Sequence, residues 1–356
     1  MQLPTFLSNK VERLRAIAQD SDRKPVRVLA EEVGAVVRRR QSPKFYFERL
    51  LYREGSGRPG DYITAAEAER MYALKKRGAG WLRNLDDKVL FDELKRASGL
   101  PLPRLLGQTR MGSFASPDGE VRSLPTAEAL AAELASMIEV SPTGAVFAKP
   151  VMANKGSGVH RVSPETLGKK AADVLDAVSY NDYLFQEAIR QHDGMSALYP
   201  HSLNTLRVLV GRREGKAPHV LSVIVRMGRG GRSMDNAHAG GVFVGVNAET
   251  GALKPYGHEL FFFGGRRFER HPDTGVVFEG YQVPLFDGAM DLARRAHETL
   301  PHPYAEWDIG ITPDGPVLIE CNSGPYLLMM DVAHGGLKAD PVFRAFLDTH
   351  GVEYET

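Results

Sequence analysis

A segment near the C-terminal end joins an apolar run to oxygen-bearing side chains, in the order Pro-Val-Leu-Ile-Glu-Cys-Asn-Ser-Gly over 316–324. The aliphatic run before Glu320 predicts a buried strand, because it is short and bounded by Gly-Pro and Ser-Gly pairs. Side chains alternate across a strand, so Glu320 and Asn322 point to the same side. Two oxygen donors on one face are what a hard cation such as Mg²⁺ uses, with phosphate oxygens and water completing its shell. The segment therefore predicts a metal site at a strand end.

Another carboxylate, Asp308, lies upstream in the strand-like segment 305–311. The sequence Thr-Pro-Asp-Gly at 312–315 is typical of a tight turn, so the two segments are predicted to form a hairpin. Such a hairpin can bring Asp308 beside Glu320, which adds Asp308 to the candidate metal ligands. A capped strand with two unrelated surface carboxylates would show the same pattern. These residues alone leave both interpretations open.

A short strand-like segment at 145–150 begins with an apolar run, contains a lysine near its end and is followed by a glycine-containing loop. Lys149, near the end of that run, supplies a point charge, and glycine in the loop lets backbone N–H groups approach phosphate oxygens. The candidate phosphate contacts of the loop are Lys155, Gly156, Ser157 and Gly158. The loop has neither the Gly-Lys-Ser/Thr of a Walker A motif nor a dinucleotide-binding fingerprint. It predicts phosphate binding, although a plain flexible hairpin has a similar glycine content.

The strand-like segment 182–189 ends its apolar run in Gln186 and Glu187. A carboxylate at such a strand end can accept hydrogen bonds from ribose hydroxyls. A glutamate on the protein surface is an equal alternative for Glu187 at this point.

Two arginines, Arg207 and Arg226, interrupt the apolar runs at 203–210 and 220–227. A buried arginine must be paired, because an isolated charge in the interior is strongly destabilising. Either both arginines hold structural carboxylates, or both face a shared anionic site.

The composition excludes several classes of protein. The chain has 356 residues, of which 43% are hydrophobic and 25% are charged, so it can build a large core in two or three domains. The net charge of +1 gives no field that would attract nucleic acid or a membrane, and a single cysteine excludes a disulfide framework. No apolar run approaches transmembrane length, and the first residues lack a signal-peptide pattern, so we expect a cytoplasmic protein.

Residues 1–80 are predicted to be helical, because their apolar residues recur at helix-like spacing. Thr64 and Glu67 have the spacing of a capping box at a helix start. This region contains no catalytic constellation, so we interpret it as a support or specificity module.

Taken in order, the candidate residues resemble the ATP-grasp superfamily, and most closely its sugar-transfer-associated branch, which is related to alpha-L-glutamate ligases. The resemblance covers about residues 81–340. It is carried by Asp-Lys-Val-Leu-Phe at 87–91, Phe-Ala-Lys-Pro at 147–150, Ser-Leu-Asn-Thr-Leu-Arg at 202–207, Asp-Asn at 235–236 followed by Gly-Gly at 240–241, and Ile-Glu-Cys-Asn at 319–322.

The resemblance implies an α+β protein with the ATP-grasp fold, in which two α+β lobes clasp ATP. It places the helical N-terminal region at 1–80, the lobe with the phosphate-binding loop at 81–190 and the lobe with the metal site at 191–356. Lys88 and Lys149 would contact the phosphates, and the loop would close over them.

The resemblance also assigns roles to the remaining candidates. Gln186 and Glu187 would meet the adenine and the ribose of ATP. Arg207 and Arg226 would act as catalytic residues that stabilise the transferred phosphoryl group. The implied ligands of one or two Mg²⁺ ions, or of Mn²⁺ in their place, are Asp308, Glu320 and Asn322.

The implied reaction is ATP- and Mg²⁺-dependent ligation of a carboxylate to an amine. The carboxylate attacks the γ-phosphate to give an acylphosphate, and the amine then displaces phosphate. The partners would be a small-molecule or peptide carboxylate and an amine, with no nucleic acid and no membrane span. Two alternatives stay open: a kinase on the same scaffold that needs no amine, and a nucleotide-binding regulator without catalysis.

Overall fold

The computed structural model describes residues 22–38, 40–76, 87–152, 158–213, 215–322, 324 and 326–355. Within these ranges the chain is an α+β protein built on two antiparallel sheets and preceded by a helical segment, as predicted. The helices of that first segment are α1 (Val26–Arg38), α2 (Pro43–Glu48) and α3 (Ala65–Lys76).

The first sheet follows a helix, α4 (Lys88–Ala97), that begins beside it. Its strands are β1 (Leu105–Arg110), β2 (Ser113–Ala115), β3 (Val121–Ser123), β4 (Val146–Pro150), β5 (His160–Val162) and β6 (Tyr183–Glu187), and its helices are α5 (Ala127–Val140) and α6 (Leu167–Tyr180). The strand order is β3-β2-β1-β6-β4-β5. Leu130 and Leu134 of α5 and Val174 of α6 pack on Phe114 and Phe185, so the two helices cover one face of this sheet.

The second sheet is longer and lies in the C-terminal half of the chain. Its elements are α7 (Asp193–Leu198), β7 (Thr205–Gly211), β8 (His219–Met227), β9 (Val242–Val246), β10 (Leu253–His258), β11 (Arg267–Phe268), α8 (Phe286–Glu298), β12 (Tyr304–Thr312), β13 (Gly315–Asn322), α9 (Leu328–His334) and α10 (Pro341–Thr349). The strand order is β11-β10-β9-β8-β7-β12-β13. Trp307 and the apolar side of α8 belong to one core on this sheet, which is the largest hydrophobic cluster among the described residues.

The helical N-terminal segment packs on the opposite face of the second sheet. Its buried aromatic residues share a core with β7, β8, α9 and α10. The predicted capping box is present, because Thr64 N–H donates to Glu67 Oε2 at 2.8 Å and Glu67 N–H donates to Thr64 Oγ1 at 3.2 Å. Glu67 also forms a buried ion pair with Lys338 at 2.8 Å, and Ile63 N–H donates to Asp331 Oδ2 at 2.9 Å. The segment is therefore an integral layer of the C-terminal half.

None of the helices in the described part of the chain is long and apolar enough to cross a membrane.

Candidate active site

The hairpin of β12 and β13 brings the two predicted carboxylates together. Asp308 and Glu320 are direct partners across the two strands, and Asn322 lies opposite Glu306. The register shifts immediately after Asp308, so Ile319 is an extra residue on β13 at this point. Such a bulge re-aims the side chains beside it. The predicted pairing of the two segments is confirmed.

Asp308 is the centre of a buried ion cluster. Arg207 binds it through two contacts, Nε to Oδ1 and Nη2 to Oδ2, both 2.8 Å long, and Arg226 Nη2 donates to Oδ2 at 2.9 Å. Only 1% of Asp308 is exposed. Burial alone would raise the pKa of Asp308, but the two arginines outweigh it and hold the pKa below its usual value. The arginines are thus paired with a carboxylate, and that carboxylate is one of the predicted metal ligands.

Glu320 has the opposite electrostatic character. Its side chain keeps 43% of its surface exposed, and its nearest arginine contact is Arg207 Nη2 at 4.0 Å. Partial burial and the negative charge of Asp308 raise the pKa of Glu320. We call Asp308, Glu320, Arg207 and Arg226 the acid–arginine cluster. Asn322 Nδ2 reaches its edge, with a contact of 3.4 Å to Asp308 Oδ2.

The donor atoms of this cluster suit a hard divalent cation. Glu320 and Asp308 present adjacent carboxylates, and burial and the charge of Asp308 raise the pKa of Glu320. A cation bound there would offset the repulsion between the two carboxylates. Among the described residues, no group of three or more His, Cys, Asp or Glu side chains could hold a metal ion. In nucleotide sites Mg²⁺ is commonly held by one or two carboxylates together with phosphate oxygens and water.

Lys149 lies on β4 with its amine held by a neighbouring strand. Its Nζ donates to Gln186 Oε1 on β6 at 2.9 Å. Burial lowers the pKa of Lys149 to about 8. The negative charge of Glu320 partly opposes this shift. Lys149 on the first sheet therefore interacts electrostatically with Glu320 on the second.

Lys88 is the first residue of α4, and it lies close to Lys149. The Asp87 side chain caps this helix by accepting from Val89 N–H and Leu90 N–H, both at 3.0 Å. Lys88 N–H donates to Val151 O at 3.2 Å, which fixes the helix start beside the end of β4. The positive charge of Lys88 contributes to the lowered pKa of Lys149. We call Lys88 and Lys149 the lysine pair.

Glu187 and Gly158 occupy more constrained positions than their sequence patterns indicate. Glu187 Oε1 accepts from Arg104 N–H at 2.9 Å, and Oε2 lies 3.5 Å from Arg104 Nε. Gly158 has φ of +72°, and its carbonyl accepts a hydrogen bond from Tyr183 at 3.0 Å. A Cβ at Gly158 would lie 2.9 Å from Pro150 Cγ. The predicted contacts Lys155, Gly156 and Ser157 lie outside the described residues.

Three polar residues complete the site without having been predicted as site residues. The Thr205 hydroxyl accepts from Arg226 Nη2 at 2.8 Å and donates to Asp235, whose Oδ2 is 3.3 Å from Arg226 Nη2. Both residues belong to the short motifs that carry the family resemblance. Asp92 accepts from Gln186 Nε2 at 3.2 Å. The available signal for Asp92 was its place on α4, one helical turn after Lys88.

Comparisons with solved structures return many chains of similar fold. A RimK domain ATP-grasp protein from Sphaerobacter thermophilus is 16% identical, with 72% of this chain and 67% of that chain covered and a TM-score of 0.39. The ATP-grasp ligase PsnB, in complex with a minimal precursor, Mg and ADP, is 16% identical, with 76% and 60% covered and a TM-score of 0.38. The D-alanine-D-alanine ligase from Coxiella burnetii is 14% identical, with 75% and 59% covered and a TM-score of 0.41.

This chain thus spans about 60% of the length of the last two proteins. At these identities and TM-scores the comparisons describe a likeness of fold and carry no argument about activity. No curated protein matches the sequence significantly. The family model of sugar-transfer associated ATP-grasp proteins matches residues 69–340, which is well over half of the chain. This match shows that the chain belongs to the sugar-transfer associated ATP-grasp family.

Proposed function

We propose that this protein is an ATP- and Mg²⁺-dependent ligase that joins a carboxylate to an amine through an acylphosphate. The observation that carries the proposal is the placement of the lysine pair beside the second sheet. Lys88 begins α4, and Phe91 of the same helix is buried in the core of the second sheet with Trp307 and Cys321. The charge of Glu320 also acts on the pKa of Lys149. Cations for phosphate and carboxylates for a metal therefore meet at one place, as phosphoryl transfer from Mg-ATP requires. In this proposal the lobes are 81–190 and 191–356.

Nucleotide binding is assigned to the first sheet and α4. Lys88 and Lys149 bind the phosphates of ATP, whose negative charge offsets the repulsion between the two amines. Lys155, Gly156, Ser157 and Gly158 belong to the loop that would cover those phosphates. Gln186 and Glu187, at the end of β6, lie on the adenine and ribose side. The bond from Glu187 to Arg104 N–H holds the carboxylate in place for such a contact.

The metal site is assigned to Asp308, Glu320 and Asn322. When bound, Mg²⁺ neutralises charge on the phosphates of ATP, and Mn²⁺ could take its place. The raised pKa of Glu320 supports this assignment, because a carboxylate beside another carboxylate gains most from an added cation.

Chemistry at the site depends on positioning and charge. A carboxylate oxygen of the first substrate attacks the γ-phosphorus, ADP leaves and an acylphosphate forms. Arg207 and Arg226 are held rigidly by Asp308 and Thr205, so their charges are fixed before the phosphoryl group moves. The amine of the second substrate then attacks the acyl carbon, phosphate leaves and a proton is lost to solvent or phosphate. No protein nucleophile takes part.

The first test measures ADP and phosphate released from Mg-ATP with pooled carboxylic acids and peptides, with and without pooled amines. Wild type, Glu320→Ala and a control, Glu249→Ala in an exposed turn, are assayed side by side. The proposal predicts phosphate release that needs both an acid and an amine, that persists in the control and that disappears in Glu320→Ala.

Other outcomes would replace the proposal. ADP formation with an alcohol alone, without free phosphate, would identify a kinase. Tight Mg-ATP binding without turnover on any substrate would favour a nucleotide-binding regulator. Normal turnover by Glu320→Ala would contradict the metal assignment.

A further inference from the structure

We propose that Asp92 is a positioning residue that, through Gln186, holds the lysine pair in place before nucleotide binds. This inference rests on the proposed function, because it assumes that Lys88 and Lys149 bind the phosphates of ATP. It adds a residue that lies outside the expected contacts of the nucleotide.

The hydrogen-bond chain between Asp92 and Lys149 can run in only one direction. Lysine can only donate, so Gln186 must present Oε1 to Lys149 Nζ, at 2.9 Å. An ionised carboxylate can only accept, so Gln186 must present Nε2 to Asp92 Oδ2, at 3.2 Å. The two ends fix the amide in one orientation. Gln186 thereby becomes a rigid link between α4 and the end of β4.

Asp92 is itself held firmly. Arg96 binds it through two contacts of 3.0 Å, Nε to Oδ1 and Nη2 to Oδ2, and also donates to Pro103 O at 3.0 Å. Only 1% of Asp92 is exposed. A buried carboxylate is destabilising unless it is paired, so Arg96 explains why the charge is tolerated there.

The position of Asp92 on α4 couples the two lysines. Lys88 and Asp92 are four residues apart on this helix, so their side chains lie on the same face. The helix has two anchors on the first sheet: Lys88 N–H to Val151 O at 3.2 Å, and Asp92 to Gln186 one turn later. The second anchor fixes the rotation of α4, and therefore the direction in which Lys88 leaves the helix relative to Lys149.

The charges of the two lysines and of Asp92 indicate what the link through Gln186 does. Lys88 and Lys149 repel each other, and this repulsion contributes to the lowered pKa of Lys149. Asp92 places a negative charge on the same side and acts on Lys149 in the opposite direction from Lys88. The link therefore supplies in advance part of the ordering that ATP would otherwise have to impose, which is preorganisation of a binding site.

The test compares dissociation constants for Mg-ATP, measured by calorimetry at a temperature where every variant is folded by circular dichroism. Asp92→Asn keeps an acceptor oxygen but removes the negative charge, so it should weaken binding about tenfold, as expected when a hydrogen bond to a charged group becomes one to a neutral group. Gln186→Met, which cuts the link but leaves Asp92 paired with Arg96, should weaken it to a similar extent. The control Asp291→Asn removes an aspartate that pairs with Arg295 at the same helical spacing on the solvent-exposed side of α8, and should bind like wild type.

A rescue variant separates positioning from mere structural support. In Asp92→Asn combined with Gln186→Glu, the amide and the carboxylate exchange places. The new amide at position 92 can then donate to the new carboxylate at position 186, and Lys149 keeps an acceptor. Gln186→Glu alone places two carboxylates face to face and should also weaken binding. The double variant should recover most of the affinity that Asp92→Asn and Gln186→Glu each lose, a coupling that independent defects would not show.

Each outcome decides the question. Wild-type affinity in both Asp92→Asn and Gln186→Met, or strictly additive losses in the double variant, would overturn the role of Asp92 and leave the proposed function standing. If Asp92→Asn does not fold, Asp92→Glu takes its place, since it keeps a charge for Arg96 but displaces the acceptor of Gln186. Wild-type affinity in that variant would overturn the role of Asp92. Absence of Mg-ATP binding in wild type would instead overturn the proposed function, and the inference with it.

Discussion

The two halves of the candidate site hold their charges in different ways. In the acid–arginine cluster, Asp308 accepts three contacts of 2.8–2.9 Å from Arg207 and Arg226, all on neighbouring strands of one sheet. In the lysine pair, two like charges lie near each other at a helix start and a strand end. The cluster is balanced internally, whereas the two lysines repel each other. A site for Mg-ATP can therefore combine the acid–arginine cluster, whose side chains are already held in place, with the lysine pair, whose positive charge the nucleotide neutralises.

The largest effect should come from breaking the balanced half. Asp308→Ala leaves Arg207 and Arg226 buried without their common partner, so unfolding free energy should fall by about 3–5 kcal/mol. Denaturant titration followed by circular dichroism measures this loss. Lys149→Met is the matched change in the other half and should destabilise the fold by less than about 1 kcal/mol, because it removes a charge whose burial is unfavourable. Equal losses in the two variants would contradict the contrast between the halves.

A pH series should sharpen the comparison at the lysine pair. The pKa of Lys149 is lowered to about 8, so its positive charge is present below that pH and is lost as the pH rises through it. Affinity for Mg-ATP should therefore fall above about pH 8, and binding near that pH should take up a proton. Calorimetry in buffers of different ionisation enthalpy measures both effects.

A matched pair of variants identifies the titrating group. Burial also lowers the pKa of Lys95 to about 8, so a loss of ATP affinity near this pH could come from either lysine. Lys149→Arg should keep its affinity across this range, and Lys149→Met should bind weakly at every pH. An unchanged decline in Lys149→Arg would assign the effect to another group.

The smallest effect concerns the edge of the first sheet. Glu187 and Arg104 form a partly exposed ion pair at 3.5 Å, so Glu187→Gln should change stability by less than about 1 kcal/mol. The amide oxygen can still accept from Arg104 N–H and from a ribose hydroxyl, so ATP affinity should fall only a few-fold. Thermal unfolding and calorimetry check both values. A loss of ATP affinity comparable with that of Lys149→Met would move Glu187 from the edge to the centre of the site.

The parts of the molecule that local sequence determines were predictable. The turn at 312–315 is short, so the pairing of Asp308 with Glu320 follows from the residues on either side of it. The capping box of Thr64 and Glu67 spans a single turn and is present as predicted. The family resemblance, which draws on motifs spread along the chain, supplied the order of the remaining candidates and the fold.

Contacts between distant segments were not predictable in the same way. The choice between structural carboxylates and a shared anionic site for Arg207 and Arg226 depends on the register of β7 and β8 against β12. The link from Asp92 to Gln186 joins a helix to a strand that the sequence treats separately. The N-terminal segment showed its own helical pattern, but its place on the second sheet follows from buried partners such as Asp331 and Lys338.

We propose that the lysine pair and the acid–arginine cluster form one site for Mg-ATP. The most direct measurement is ATP binding by calorimetry with and without Mg²⁺, for wild type, Lys149→Met and Glu320→Ala. If they form one site, Mg²⁺ should strengthen ATP binding to wild type, Glu320→Ala should lose this dependence on Mg²⁺, and Lys149→Met should bind more weakly in either condition. ATP binding that is equally strong with and without Mg²⁺, and unchanged in Glu320→Ala, would contradict it.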